Sequence, residues 1–182
     1  MQLTKNQLRG LIKEELGAAL HESMSSGGTN YFNKLATLMR TKEGVYQAES
    51  LYEFARDQLD DEEKTFFDNC FRLLEIGREA TKLGNEIKEI GKQIRKYLKD
   101  NQFQPWQIKR RENDDFLQEL TDRRKEMYKQ IRELNDLFSQ QSSIVGDSVG
   151  RMVKENPRVY AFYNAREAGV EEASGHFGML SI

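Results

Sequence analysis

Apolar side chains between Phe66 and Leu98 return at helical spacing. Leu73, Ala80, Ile87 and Ile94 recur every seven residues, and Ile76, Leu83, Ile90 and Tyr97 recur every seven, three places further on. An i, i+3, i+4, i+7 stripe of this kind marks an amphipathic helix with one buried face. Gly77, Gly84 and Gly91 keep the same period. A glycine inside a helix costs ~0.5–1 kcal/mol against alanine. Three in register therefore read as helix-packing residues lining a flat groove, along which another helix backbone passes. On that reading Gly84 tolerates alanine and rejects leucine. A second seam runs Leu117, Leu120, Arg124, Met127, Ile131, Leu134, Phe138, in steps of three and four. This is a heptad a/d pattern with one polar interruption, at Arg124. Residues 101–109 contain Pro105 and read as a turn. Helices over about 60–99 and 113–142 are thus expected to pair as a long antiparallel, coiled-coil-like hairpin. The large residues of the second helix are expected to settle over the glycine groove of the first.

Shorter elements surround this hairpin. Residues 3–20 predict a helix with Thr4 and Gln7 as a capping box, Leu3 and Leu8 as a hydrophobic staple, and an apolar face of Leu8, Leu11, Ile12 and Leu16. A helix of that length is marginal alone in water. It is followed by a Ser/Gly-rich linker at 23–28, so the segment 1–22 either docks on a partner or folds back onto the bundle. Residues 29–169 form the main helical domain. Tyr31, Phe32, Leu35, Leu38 and Met39 predict one short helix ending near Lys42–Gly44, and Val45, Ala48, Leu51, Tyr52 and Ala55 a second. Asp60 and Glu63 cap the long helix. Val149, Met152 and Val153 predict a further short helix. Asn156–Pro157 then opens a last one, carrying Val159, Tyr160, Phe162, Tyr163 and Ala165, which Gly169 closes. The tail, 170–182, ends on Phe177, Met179, Leu180 and Ile182. Such an apolar end is expected to enter a neighbouring subunit, the alternative being the protein's own core.

Composition agrees with an all-α class. The chain of 182 residues has two prolines and 32% charged residues. Its mean hydropathy of −0.79 means that much of it is solvent-facing helix surface. No run approaches the ~18–20 apolar residues that span a bilayer, and the N-terminus shows no signal-peptide core. No membrane partner is expected. Cys70 is the single cysteine and sits in the apolar stripe, where an inert buried thiol is expected.

The candidate chemistry is sparse. His21 and His176 lie at opposite ends, outside any ligand-spaced cluster. Carboxylate pairs such as Glu62–Glu63 and Asp114–Asp115 fall at helix starts, where capping accounts for them. No phosphate-binding glycine loop follows a strand. A non-enzymatic protein without cofactor is expected. One charge feature stands out. Between Lys88 and Arg111 eight basic residues meet only Glu89 and Asp100, in a chain of net charge −2. The hairpin tip, with Lys92, Arg95, Lys96, Lys99, Trp106, Lys109, Arg110 and Arg111, could meet an acidic protein surface, nucleic-acid phosphates and bases, or solvent, where its charges complement a helix C-terminus.

The opening stretch Leu3-Thr4-Lys5-Asn6-Gln7-Leu8-Arg9-Gly10-Leu11-Ile12-Lys13-Glu14-Glu15-Leu16 resembles the first segment of many tailed-bacteriophage proteins, which tends to read T-K-x-Q-L-x-x-x-I-K-E-E-L. Some of those proteins are virion components. The resemblance covers about a dozen residues and implies a phage structural protein, in the virion or in the host cytoplasm during assembly. The expected function is a connector, decoration or minor structural protein that docks other subunits through Leu8, Leu11, Ile12, Leu16, Phe177, Met179, Leu180 and Ile182. A nucleic-acid-binding hairpin using the basic tip is the alternative.

Overall fold

In the computed structural model, residues 31–102 and 114–177 are described. Five α-helices make up this part, with no strand among the described residues: α1 Tyr31–Leu38, α2 Lys42–Ala55, α3 Asp61–Asp100, α4 Asp115–Val149 and α5 Pro157–Glu172. The N-terminal helix and linker expected over 1–28, and most of the turn expected over 101–109, lie outside the described residues.

The long helix starts where its capping residues say it should. The Asp60 carboxylate accepts from the Glu63 amide, and the Glu63 side chain accepts from the Asp60 amide. This satisfies two of the N–H groups that a helix start leaves without partners. The antiparallel pairing of α3 and α4 can be read from contacts along their length. Tyr97 donates to Asp114 at 3.1 Å, Arg123 pairs with Glu86 at 3.8 Å, and Gln141 donates to the Asn69 side chain at 2.9 Å. As α3 descends 28 residues from 97 to 69, α4 climbs 27, from 114 to 141.

Two apolar cores lie along this hairpin. The larger gathers α1, α2, α5, the first half of α3 and the end of α4 around Phe67, Leu73, Leu74, Ile76 and Val145, all fully buried. The smaller joins Ile87, Ile90, Ile94 and Leu98 of α3 to Leu117, Leu120, Met127 and Ile131 of α4. Phe177 packs against both.

Several boundaries differ from the sequence expectation, each for a local reason. Helix α1 ends at Leu38, and Gly44 lies inside α2, because Thr41 caps the new helix by accepting from the Gly44 amide at 3.1 Å. A Cβ at Gly44 would collide with the Leu38 carbonyl, so only glycine allows so tight a corner. Helix α4 continues to Val149, and Met152 and Val153 stand in a turn instead of a helix. Gly150, at φ 53°, breaks the helical path there. Gly169 does not close α5, which runs on to Glu172. The glycine is buried at a helix crossing.

The glycine groove on α3 is real at two of its three positions, but α4 does not fill it. At Gly77 the neighbour is the backbone of α5: an added Cβ would strike the Gly169 carbonyl and lie 2.9 Å from the Glu172 Cβ. At Gly84 the neighbour is the His176 ring, which an added methyl would overlap. Alanine therefore does not fit at 84 unless the imidazole moves. At Gly91, among the described residues, only the Arg95 side chain approaches, at 3.7 Å, so the groove is open there.

Candidate functional site: a basic groove beside the hairpin

The open end of the glycine row forms one wall of a groove of about 500 Å³. Two local choices create it. Gly91 offers no side chain to fill the space, and the α4 seam puts Arg124 between the buried Leu120 and Met127, where a heptad would place an apolar residue. The arginine cannot close the gap as leucine would. It swings over the Tyr128 ring, 5.5 Å from the centroid, and donates to the Tyr128 hydroxyl at 3.2 Å. Ile87 and Ile131 give the groove an apolar floor.

Its rim is cationic. Lys88, Lys92 and Arg95 follow one another along α3, and Arg124 faces them from α4. Glu89 is the one carboxylate in the lining and pairs with Lys92 at 2.6 Å, both ends being exposed. An exposed pair at i, i+3 is worth little and exchanges readily.

His176 closes the near end. The chain turns back after α5 through Ser174 at φ 49° and Gly175 at φ 73°, and the His176 amide donates to the Ala173 carbonyl at 2.9 Å. Above this turn, Thr81 donates to the Glu172 carbonyl, and Arg78 bridges Glu49, at 2.7 and 2.8 Å, to Glu172, at 3.4 Å. The return is thereby fastened to α3, and the imidazole lands on Gly84 with only 4% of its surface exposed. Burial first, and the Lys88 charge second, hold its pKa below the ordinary histidine value. Its Nε2 is buried with no hydrogen-bond partner among the described residues, as is Arg124 Nε.

Of the expected site residues, Gly84, Gly91, Lys92 and Arg95 come together in this groove. Lys96 and Lys99 are exposed outside it. Trp106, Lys109, Arg110 and Arg111, the docking face Leu8, Leu11, Ile12 and Leu16, and the tail residues Met179, Leu180 and Ile182 lie outside the described residues. Phe177 was expected to enter a neighbour. It sits half-buried against Phe138 of its own chain, ring centroids 5.3 Å apart, because the turn at 174–175 directs it inward. Arg124, Tyr128 and His176 were not singled out as site residues by the sequence. The signal was there for Arg124: setting the two seams antiparallel brings the polar interruption alongside Ile87 and Gly91.

No group of three or more histidine, cysteine or acidic side chains among the described residues could hold a metal ion. Cys70 is fully buried, and that burial pushes its thiol pKa up. No helix among the described residues is long and apolar enough to cross a membrane.

On the other side of the α3–α4 seam a second groove, of about 490 Å³, has the opposite character, with Glu79, Glu86 and Glu133 against Lys82. Larger apolar side chains are exposed elsewhere. Ile144, Met152, Val153, Tyr160 and Tyr163 all lie between the end of α4 and the middle of α5. In comparisons with known proteins, no family model, no curated protein and no solved structure matches this chain.

Proposed function

We propose that this chain is a non-enzymatic helical assembly protein that docks onto other protein subunits, in the setting of a tailed-phage particle as a connector, decoration or minor structural component. The phage setting rests on the resemblance of residues 3–16 and would place the protein in the virion, or in the host cytoplasm while particles form. The observation that carries the docking role is an ordered turn that presents apolar side chains to solvent. Val153 is 73% exposed and Met152 40%, yet the turn holding them is fixed at several points. The Gly150 amide donates to Gly146, Met152 to Val149 and Asn156 to Val153, while the Asn156 side chain caps α5. Single exposed apolar residues are ordinary; two adjacent ones held on a structured turn support reading it as an interaction surface.

The test follows the chain through density-gradient purification of particles from cells that make them. Wild type should co-sediment in fixed stoichiometry, and a Met152→Asp, Val153→Asp variant should stay in the soluble fraction with its helical content intact. Absence of the wild-type chain from the particles sinks the phage reading, and normal incorporation of the variant sinks the role of the turn. The exposed row Lys92, Lys96, Lys99 supports a second reading, nucleic-acid binding by the hairpin. That reading requires affinity for an oligonucleotide that falls steeply with salt.

A further inference from the structure

We propose that the basic groove between α3 and α4 is a binding site for a small organic phosphate, with an apolar or aromatic body resting on Ile87, Ile131 and Tyr128 and its phosphates held by Lys88, Lys92, Arg95 and Arg124. Three independent features of the groove agree on this ligand. Its volume of about 500 Å³ falls within the ~300–1,000 Å³ of small-molecule sites, which pair an apolar lining with a few placed polar groups. Its charge is strongly one-sided, four cations against Glu89. Lys88, Lys92 and Arg95 stand four and three residues apart on one helix, or ~6 and ~4.5 Å along its axis. That row matches linked phosphates better than a single carboxylate.

The third feature is unmet hydrogen-bonding capacity. Three buried side-chain polar atoms lack a partner among the described residues, and two of them, Arg124 Nε and His176 Nε2, belong to this lining. A buried nitrogen without a partner costs free energy; a phosphate oxygen accepts from Arg124 Nε–H, and from His176 Nε2 when that nitrogen carries a proton. Arg124 would otherwise be a poor choice for a heptad seam. Protonated His176 would face Lys88, Lys92, Arg95 and Arg124, with Glu89 as the one carboxylate among the described lining residues. This cationic lining favours the neutral ring, and a phosphate bound beside it would oppose that preference. None of this depends on the assembly role.

The test is calorimetric titration of the full chain with ADP, with adenosine and inorganic pyrophosphate as half-ligands and a single-stranded oligonucleotide as the polymer arm. ADP should bind saturably and at least about tenfold more tightly than either half. Lys88→Met and Arg124→Met should each weaken it by about tenfold or more without lowering the melting temperature, while the paired change Lys96→Met, Lys99→Met should not. Proton NMR should show the His176 pKa rising on addition of ADP. Failure of ADP to saturate, binding unaffected by Lys88→Met and Arg124→Met, or a stronger loss in the Lys96, Lys99 variant overturns the proposal. Preference for the oligonucleotide with ADP unable to compete assigns the charge to a polymer and overturns it as well.

Discussion

Gly91 and Gly169 face opposite surroundings, so the same substitution should act on them in opposite directions. At Gly169 a Cβ would lie 2.7 Å from the Leu73 carbonyl oxygen and 2.8 Å from Phe138 Cε2, inside a helix crossing that cannot open cheaply. Gly169→Ala should cost about 1–3 kcal/mol, as overpacking does, read as a lower denaturation midpoint. Gly91→Ala meets only the end of Arg95 and should gain ~0.5–1 kcal/mol of helix propensity. A gain at both sites would contradict the close approach of α3 and α5. His176 supplies a pH test. Its folded pKa is depressed, so the unfolded chain takes up the proton first as pH falls. The stability it supports is present above the ordinary pKa of ~6.5 and is lost as pH drops through the folded value. Melting temperature should fall on acidification from about pH 7.5 to 5, and less so in His176→Gln. An identical slope in the variant would place the titration elsewhere.

At the scale of elements, the seams of α3 and α4 were legible because their cause is local. A side chain's place on a helix follows from its number, and Leu73 to Ile94 or Leu117 to Phe138 need nothing else. Capping was legible for the same reason, Asp60 with Glu63 and Asn156 with Pro157 each acting within a few residues. What filled the glycine groove was not. It depended on α5 crossing at Gly169 and on a return at Ser174–Gly175 that delivers His176 to Gly84, a contact 92 residues away in the chain. Met152 and Val153 misled for a related reason: their spacing fits a helix, but Gly150 turns the chain first. Arg124 joins seam and site. Arg124→Met should fill the heptad position, remove a buried nitrogen without a partner, and raise stability by about 1 kcal/mol. A stabilised variant that no longer binds ADP would mark the arginine as kept for its ligand at a cost in packing.

The described residues are built on a hairpin whose two halves are unequally supported. Near its base, α1, α2 and α5 surround α3 and the end of α4, and Phe67, Leu73, Leu74, Ile76 and Val145 are buried from several sides. Tyr52 adds a polar tie, donating to Asp68 at 2.9 Å, and burial with that carboxylate pushes its hydroxyl pKa up to about 12. Arg158 adds another, pairing with Glu62 at 2.6 Å over the rings of Phe32 and Phe66. Further out, among the described residues, the core is built from α3 and α4 alone, through eight buried apolar residues, and the groove interrupts even that contact at Arg124. Among the described residues, Phe177 is the side chain outside the hairpin that packs against both cores. Local stability follows local burial, and a sparsely packed segment opens without global unfolding. Amides over 87–100 and 116–127 should therefore exchange through a lower-energy opening than those over 66–80, as hydrogen exchange with mass spectrometry would show. Phe177→Ala should widen the difference by lowering protection of the outer segment more than that of the base. Equal protection along all of α3 would mean that the hairpin unfolds as one unit, and that Phe177 fills space without coupling the two cores.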